Sequence, residues 1–225
     1  SFEGALFEGS KCNSFIVSDS NFSGAIFEKA DLNDASFLEC DFKQTTFKGC
    51  NLYKSIFKSC TFEGVGLKKN RVEKTFFDDC DLSKQDFSDT VFSKTHAQNC
   101  NLSHSNFDGA NIEQSFFTGS NLSGCSFRGT KGVSACFMNA DITGSFFENG
   151  EFSKAFFSGA KGLECSFYSC DLSMGHFAGS SIKISKFKDC NFSYADFSDS
   201  DLSGDKFDKC SFFMEIGRAS CRERV

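Results

Sequence analysis

The chain has 225 residues, a formal net charge of −6, and 32 Phe and 13 Cys but no Trp or Pro. No run of 18 apolar residues exists, which excludes a membrane-spanning helix, and the N-terminus lacks the charged-then-apolar pattern of a signal peptide. The absence of Pro suits a backbone whose groups are mostly committed to inter-strand hydrogen bonds.

From Phe2 to Phe212 every fifth residue is a repeat centre, and the register never slips. Of these 43 centres, 26 are Phe and 8 are Leu; only Cys12, Ala97, Gly132 and Gly162 are undersized. Two residues before each centre the chain is nearly always small, as in Ala25, Ala30, Ala35, Cys40, Thr45 and Cys50. Two residues after it stand 13 of the 19 glycines. A helix advances about 100° per residue and a strand alternates every two, so a period of five matches neither. It requires a corner every five residues. Four corners close a square coil of 20 residues, and such coils stack as parallel strands about 4.8 Å apart. Every centre then points to the axis, and the small residue shares the interior beside it, so Ala, Ser, Thr or Cys is expected there. Ala97, Gly132 and Gly162 are expected to mark thin places in the core unless neighbours lean in.

Within this frame several features follow in chain order. Cys40, Cys60, Cys80 and Cys100 are 20 residues apart and fall on one face; their parallel Cβ vectors are poor disulfide geometry, so they read as buried thiols acting as small hydrophobes. Free thiols in such number favour a reducing compartment, and a cytoplasmic location is expected. Lys43, Lys48, Lys54, Lys58, Lys68, Lys69, Arg71 and Lys74 make one stretch basic, with only Glu63 and Glu73 opposing within it. This reads as a solvated surface, and no direct nucleic-acid binding is expected. His96, His104 and His176 lie on outward positions of separate coils, with no nucleophile and orienting acid beside them; no catalytic, cofactor or metal site is expected. The recurring Asp or Asn before a centre is expected to bond backbone at the corner. One outward column, normally polar, instead holds Ile16, Ile56, Phe76, His96, Phe116, Cys136, Phe156 and His176 at multiples of 20. It is the candidate interaction stripe, since contiguous exposed apolar surface marks interfaces; the competing expectation is that its rings fold over the corners and cap the core.

The segments Ala30-Asp31-Leu32, Cys50-Asn51-Leu52, Cys80-Asp81-Leu82, Ala110-Asn111-Ile112, Ala140-Asp141-Ile142 and Cys170-Asp171-Leu172 resemble the A(D/N)LXX consensus of the pentapeptide-repeat family. The resemblance covers residues 1–214 and implies an all-β fold, a right-handed quadrilateral parallel β-helix of nearly eleven coils. The last eleven residues depart from it, placing Gly217 and Arg222 at centre positions. One back-translation of 215–225 resembles a common short-read sequencing adapter, so this tail is expected to be non-native and to add nothing to the rod. The chain opens in register at Ser1 without Met, and is expected to be a fragment of a longer protein.

The family scaffold serves unrelated roles, so two functions stay open. The first is a non-enzymatic scaffold presenting a face to a protein partner or a second copy. The second, implied by a subset of the family, is a DNA mimic that binds DNA gyrase and protects or inhibits it, giving fluoroquinolone resistance. Charge weighs against the second: a rod of about 50 Å at the strand spacing would face a duplex bearing roughly 30 phosphates, against a formal charge of −6. That subset also carries loops that interrupt its coils, and here there is no interruption.

Overall fold

A computed structural model describes residues 1–217 and contains no helix among them. The chain winds as a four-sided parallel β-solenoid of about ten turns with about 20 residues per turn. Strands are three residues long, as at Ile16–Ser18, Ser36–Leu38, Ile56–Lys58, Phe76–Asp78 and His96–Gln98. These five pair in parallel with a register of 20, Phe57 facing Phe77 and Phe77 facing Ala97. Single-residue bridges carry the same face onward from His96 through Phe116, Cys136, Phe156, His176 and Asp196 to Ile216. The ladder therefore runs two residues past the expected limit at Met214: the Ile216 N–H donates to the Ala195 carbonyl at 2.9 Å, and its own carbonyl accepts from Phe197 N at 2.8 Å. Ile216 thus adds one rung to the ladder, because strand pairing needs backbone groups and tolerates any side chain that points outward. The rest of the anomalous tail, 218–225, lies outside the described residues.

The corners explain the glycine position. Every fifth residue from Gly4 to Met214 has a positive φ, between 49° and 75°. Many corners close with a bond from the residue after it to the centre carbonyl, such as Ala25 N to Phe22 O at 2.9 Å. A β-turn with positive φ at its third residue favours Gly, with Asn and Asp next. Outside Gly the position is filled mainly by Lys, Ser, Asp and Asn; Ile184, at φ 53°, is the β-branched exception. Asn and Asp before the centres make the expected corner bonds: Asn21 Oδ1 accepts from Ser23 N at 2.7 Å and Asp41 Oδ1 from Lys43 N at 2.9 Å.

Inside, the centres stack by face. Phe87, Phe107, Phe127, Phe147, Phe167, Phe187 and Phe207 form one column with neighbouring centroids 4.4–5.1 Å apart. Adjacent faces meet edge-on, as Phe107 does with Phe92 at 87° and Phe117 at 80°. Both arrangements suit the ring quadrupole, and each pair contributes about 0.5–1.5 kcal/mol beyond its buried area. The undersized centres are not voids. Phe92 reaches across the space left by Ala97, stacking on Phe77 at 6.4 Å and Phe117 at 5.8 Å, and a Cβ on Gly132 would meet the Phe152 ring at 2.5 Å.

The small inward position does more than make room. Thr45, Ser55, Thr75, Thr95 and Ser115 each donate a hydroxyl to the carbonyl 23 residues earlier, at 2.6–2.8 Å. Those carbonyls belong to centres of the coil beneath, so the hydroxyl ties successive coils and satisfies an acceptor in a dry interior. Several cysteines do the same with sulfur, Cys60 to Phe37 O at 3.5 Å among them. Burial pushes the thiols of Cys125 and Cys165 up to about 12 and about 11. Size alone does not govern the position, contrary to the expectation of Ala, Ser, Thr or Cys: Asn70 is buried there, its amide nitrogen donating to Phe47 O at 3.0 Å and its oxygen accepting from Cys50 N at 2.8 Å.

Asp205 occupies the same position near the C-terminal end. Its Oδ1 accepts from Ser185 N at 2.7 Å, whereas Oδ2 is buried without a partner. Burial, aided by the charge of Asp201, pushes its carboxyl up to about 7. The folded state therefore holds a proton that the unfolded chain releases near pH 4. Stability from this group is present below about pH 4 and is lost as pH rises towards about 7. Over pH 4.5–7.5 the urea unfolding midpoint should fall more steeply in the native protein than in Asp205→Asn, which keeps the acceptor for Ser185. Parallel profiles for the two would refute the assignment.

Candidate interaction face

The column preceding the centres of one face is the stripe expected from the sequence. Ile16, Ile56, Phe76, Phe116 and Phe156 are exposed, as is His176, while His96 is half-buried. The rings do not simply lie over their own corners. Phe76 stacks on His96 with centroids 4.5 Å apart and planes 18° apart, and His96 stacks on Phe116 at 4.5 Å and 19°. Farther along, Phe156 stacks on His176 at 4.7 Å and 10°. The 20-residue register aligns these side chains one strand spacing apart, the separation at which flat rings meet face to face. Burial between the rings lowers the His96 pKa, which keeps a neutral imidazole in the stack.

Two departures from the sequence reading matter. Ser36 interrupts the stripe between Ile16 and Ile56. Cys136, in the outward column between Phe116 and Phe156, is only 6% exposed, and its Sγ lies 3.5 Å from Thr118 Oγ1. A side chain one rung from two large rings is shaded by both, which column position alone does not reveal. A groove of about 410 Å³ opens above it, and a second of about 330 Å³ lies between Ile56, Phe76 and His96.

The basic stretch is largely neutralised by neighbouring coils. Lys43 meets Glu63 at 2.9 Å, Lys48 meets Glu28 at 2.8 Å, Lys58 meets Asp78 at 3.7 Å and Lys68 meets Asp86 at 3.3 Å. Glu28, Asp78 and Asp86 lie outside the stretch in sequence, so a linear count could not find them. Arg71 packs over the Tyr53 ring at 4.2 Å, and Lys74 donates to its hydroxyl at 2.9 Å. Among the described residues, no group of three or more His, Cys, Asp or Glu side chains is placed to hold a metal ion. No helix there is long and apolar enough to cross a membrane.

A square solenoid with inward Phe or Leu at every fifth residue and a left-handed corner two residues later defines the class of pentapeptide-repeat folds. Sequence profiles of three such families match: "Pentapeptide repeat region" over residues 50–127, "Pentapeptide repeats (9 copies)" over 22–66, and "Pentapeptide repeats (8 copies)" over 1–37, 115–149 and 185–212. The chain belongs to the pentapeptide-repeat family. Among solved structures it is similar to HetL, a pentapeptide repeat protein involved in heterocyst differentiation regulation from the cyanobacterium Nostoc sp. strain PCC 7120. The identity is 15%, with 92% of this chain and 87% of HetL covered and a TM-score of 0.72. That likeness supports the fold alone. Full-length QnrB1, a plasmid-mediated fluoroquinolone resistance protein, aligns at 15% identity over 88% of this chain and 93% of its own, with a TM-score of 0.48. No curated protein matches the sequence.

Proposed function

We propose that this protein is a rigid, non-catalytic interaction scaffold whose stripe face binds a protein partner or a second copy of the chain. The observation that carries the reading is the exposed ring ladder Phe76–His96–Phe116, resumed at Phe156–His176. Apolar rings left in water on a rigid surface lose little entropy on binding and gain burial, as interface anchors do. A cytoplasmic setting suits the many free thiols.

Replacing Phe76, Phe116 and Phe156 together by Ser tests the proposal. Sedimentation equilibrium and partner capture should show association falling at least about tenfold, the equivalent of one lost ring anchor. The unfolding midpoint should hold, because the core centres beneath are untouched. If association is unchanged, or the triple variant unfolds, the stripe is packing and the proposal fails. Gyrase engagement through DNA mimicry is the weaker reading: the formal charge is low and several surface carboxylates are already engaged by lysines. A supercoiling assay with gyrase separates the two, and potent specific inhibition would reverse this ranking.

A further inference from the structure

The ring ladder lacks one rung. Phe116 and Phe156 are two coils apart, about 9.6 Å at the strand spacing, and between them stands Cys136 with its short side chain. A flat ring placed midway would lie about 4.8 Å from each neighbour, within the range that stacked aromatic pairs adopt. The ladder's own pairs, at 4.5–4.7 Å, already use that spacing. A groove of about 410 Å³ is lined here by Phe116, Cys136, Met138 and Phe156, among others, with Cys136 itself only slightly exposed between its neighbours. A Met thioether makes favourable contacts with ring edges, and a buried Cys behaves as a small hydrophobe.

The rim carries the second half of the recognition. Lys94 lines the groove, and no carboxylate does. Lys154 holds the equivalent corner position beside Phe156, three coils on from Lys94. Neither lysine makes an ion pair among the described residues, unlike Lys43, Lys48, Lys58 and Lys68. An unpaired cation in the lining, with a second on the same corner column one coil beyond Cys136, favours a ligand that is aromatic at its centre and anionic at its flanks.

We propose that the groove over Cys136 is a docking slot for one aromatic side chain carried on an acidic segment of a protein partner. The inference rests on the stripe being an interaction face, and adds which part of it reads the partner and what chemistry it reads.

The protein contains no Trp, so an acetylated, amidated Glu-Glu-Trp-Glu-Glu peptide reports binding through its own fluorescence. It should saturate at one site per chain, and the same peptide with Ala for Trp should bind at least about tenfold more weakly. Cys136→Phe, which supplies the missing rung, should abolish binding while leaving the fold intact, and Cys136→Leu serves if that variant misfolds. Cys136→Ser keeps the slot open and should bind within about threefold of the native protein, about 0.7 kcal/mol or less. Lys94→Gln with Lys154→Gln should weaken binding about tenfold and flatten its salt dependence. The proposal is overturned if the native protein gives no saturable signal, if both filled-slot variants still bind, or if the lysine pair changes nothing. It is also overturned if N-acetyltryptophanamide binds as tightly as the peptide, which makes the ligand a free ring, or if Cys136→Phe abolishes only self-association, which makes it a second copy. If the peptide fails while the Phe-to-Ser triple variant still loses association, the slot is wrong and the face reading stands; if neither changes, both fall.

Discussion

Phe107→Asp should break the rod at mid-length. Phe107 is fully buried, stacked between Phe87 at 5.0 Å and Phe127 at 5.1 Å and flanked edge-on by Phe92 and Phe117. The interior there offers a carboxylate no cation, so it would be buried unpaired, at a cost of at least several kcal/mol on top of the lost packing. That rivals the whole stability of an ordinary domain, about 5–15 kcal/mol. Each coil of a solenoid touches only its neighbours, so the damage should open coils around Phe107 first and leave the flanks to unfold separately. Phe107→Ala grades the effect: it removes the ring without adding charge and should cost about 3–5 kcal/mol. Urea titration by far-UV circular dichroism, with limited proteolysis to locate the opening, measures both. A native-like midpoint for Phe107→Asp would mean that the centres do not form the core.

Gly132→Ala should be costly although it adds one methyl group. Its Cβ would stand 2.5 and 2.6 Å from two carbons of the Phe152 ring, and that ring has little room to retreat. The Gly150 backbone lies so close that it leaves no room for a Cβ beside the ring, while Phe127, Phe137 and Phe147 hold its other sides. Overpacking of this kind costs about 1–3 kcal/mol. The diagnostic is the double variant: Phe152→Leu alone should destabilise, yet in the Gly132→Ala background it should recover part of the loss, giving a coupling of about 1 kcal/mol or more. Additive losses would mean that Gly132 and Phe152 do not share the space.

These two sites also divide what could be read in the chain from what could not. Phe107 was legible, because an unbroken five-residue period fixes which residues face the axis, and burial then follows from counting. The left-handed corners were legible through their glycines, and the Asx bonds through Asp and Asn one residue before the centres. The stripe was legible too, because 20-residue spacing turns a linear column into a vertical one. The filling of Gly132 by Phe152 was not. The repeat places both at centres and says only that one is too small; which neighbour leans in depends on the rotamer Phe152 takes when packed among Gly150, Phe127, Phe137 and Phe147.

The same boundary runs through the surface. Sequence by itself determined the coil, its register, its corners and the chemical identity of each column, since all of these follow from a local pattern repeated without error. Only the tertiary structure decided that Glu28, Asp78 and Asp86 neutralise the basic stretch, that His96 is clasped between Phe76 and Phe116, and that Cys136 is shaded in the lining of a groove rather than left as an ordinary exposed thiol. Those outcomes turn on contacts between side chains about 20 residues apart, where reach, ring orientation and shading by neighbours set the result, and no single repeat contains that information.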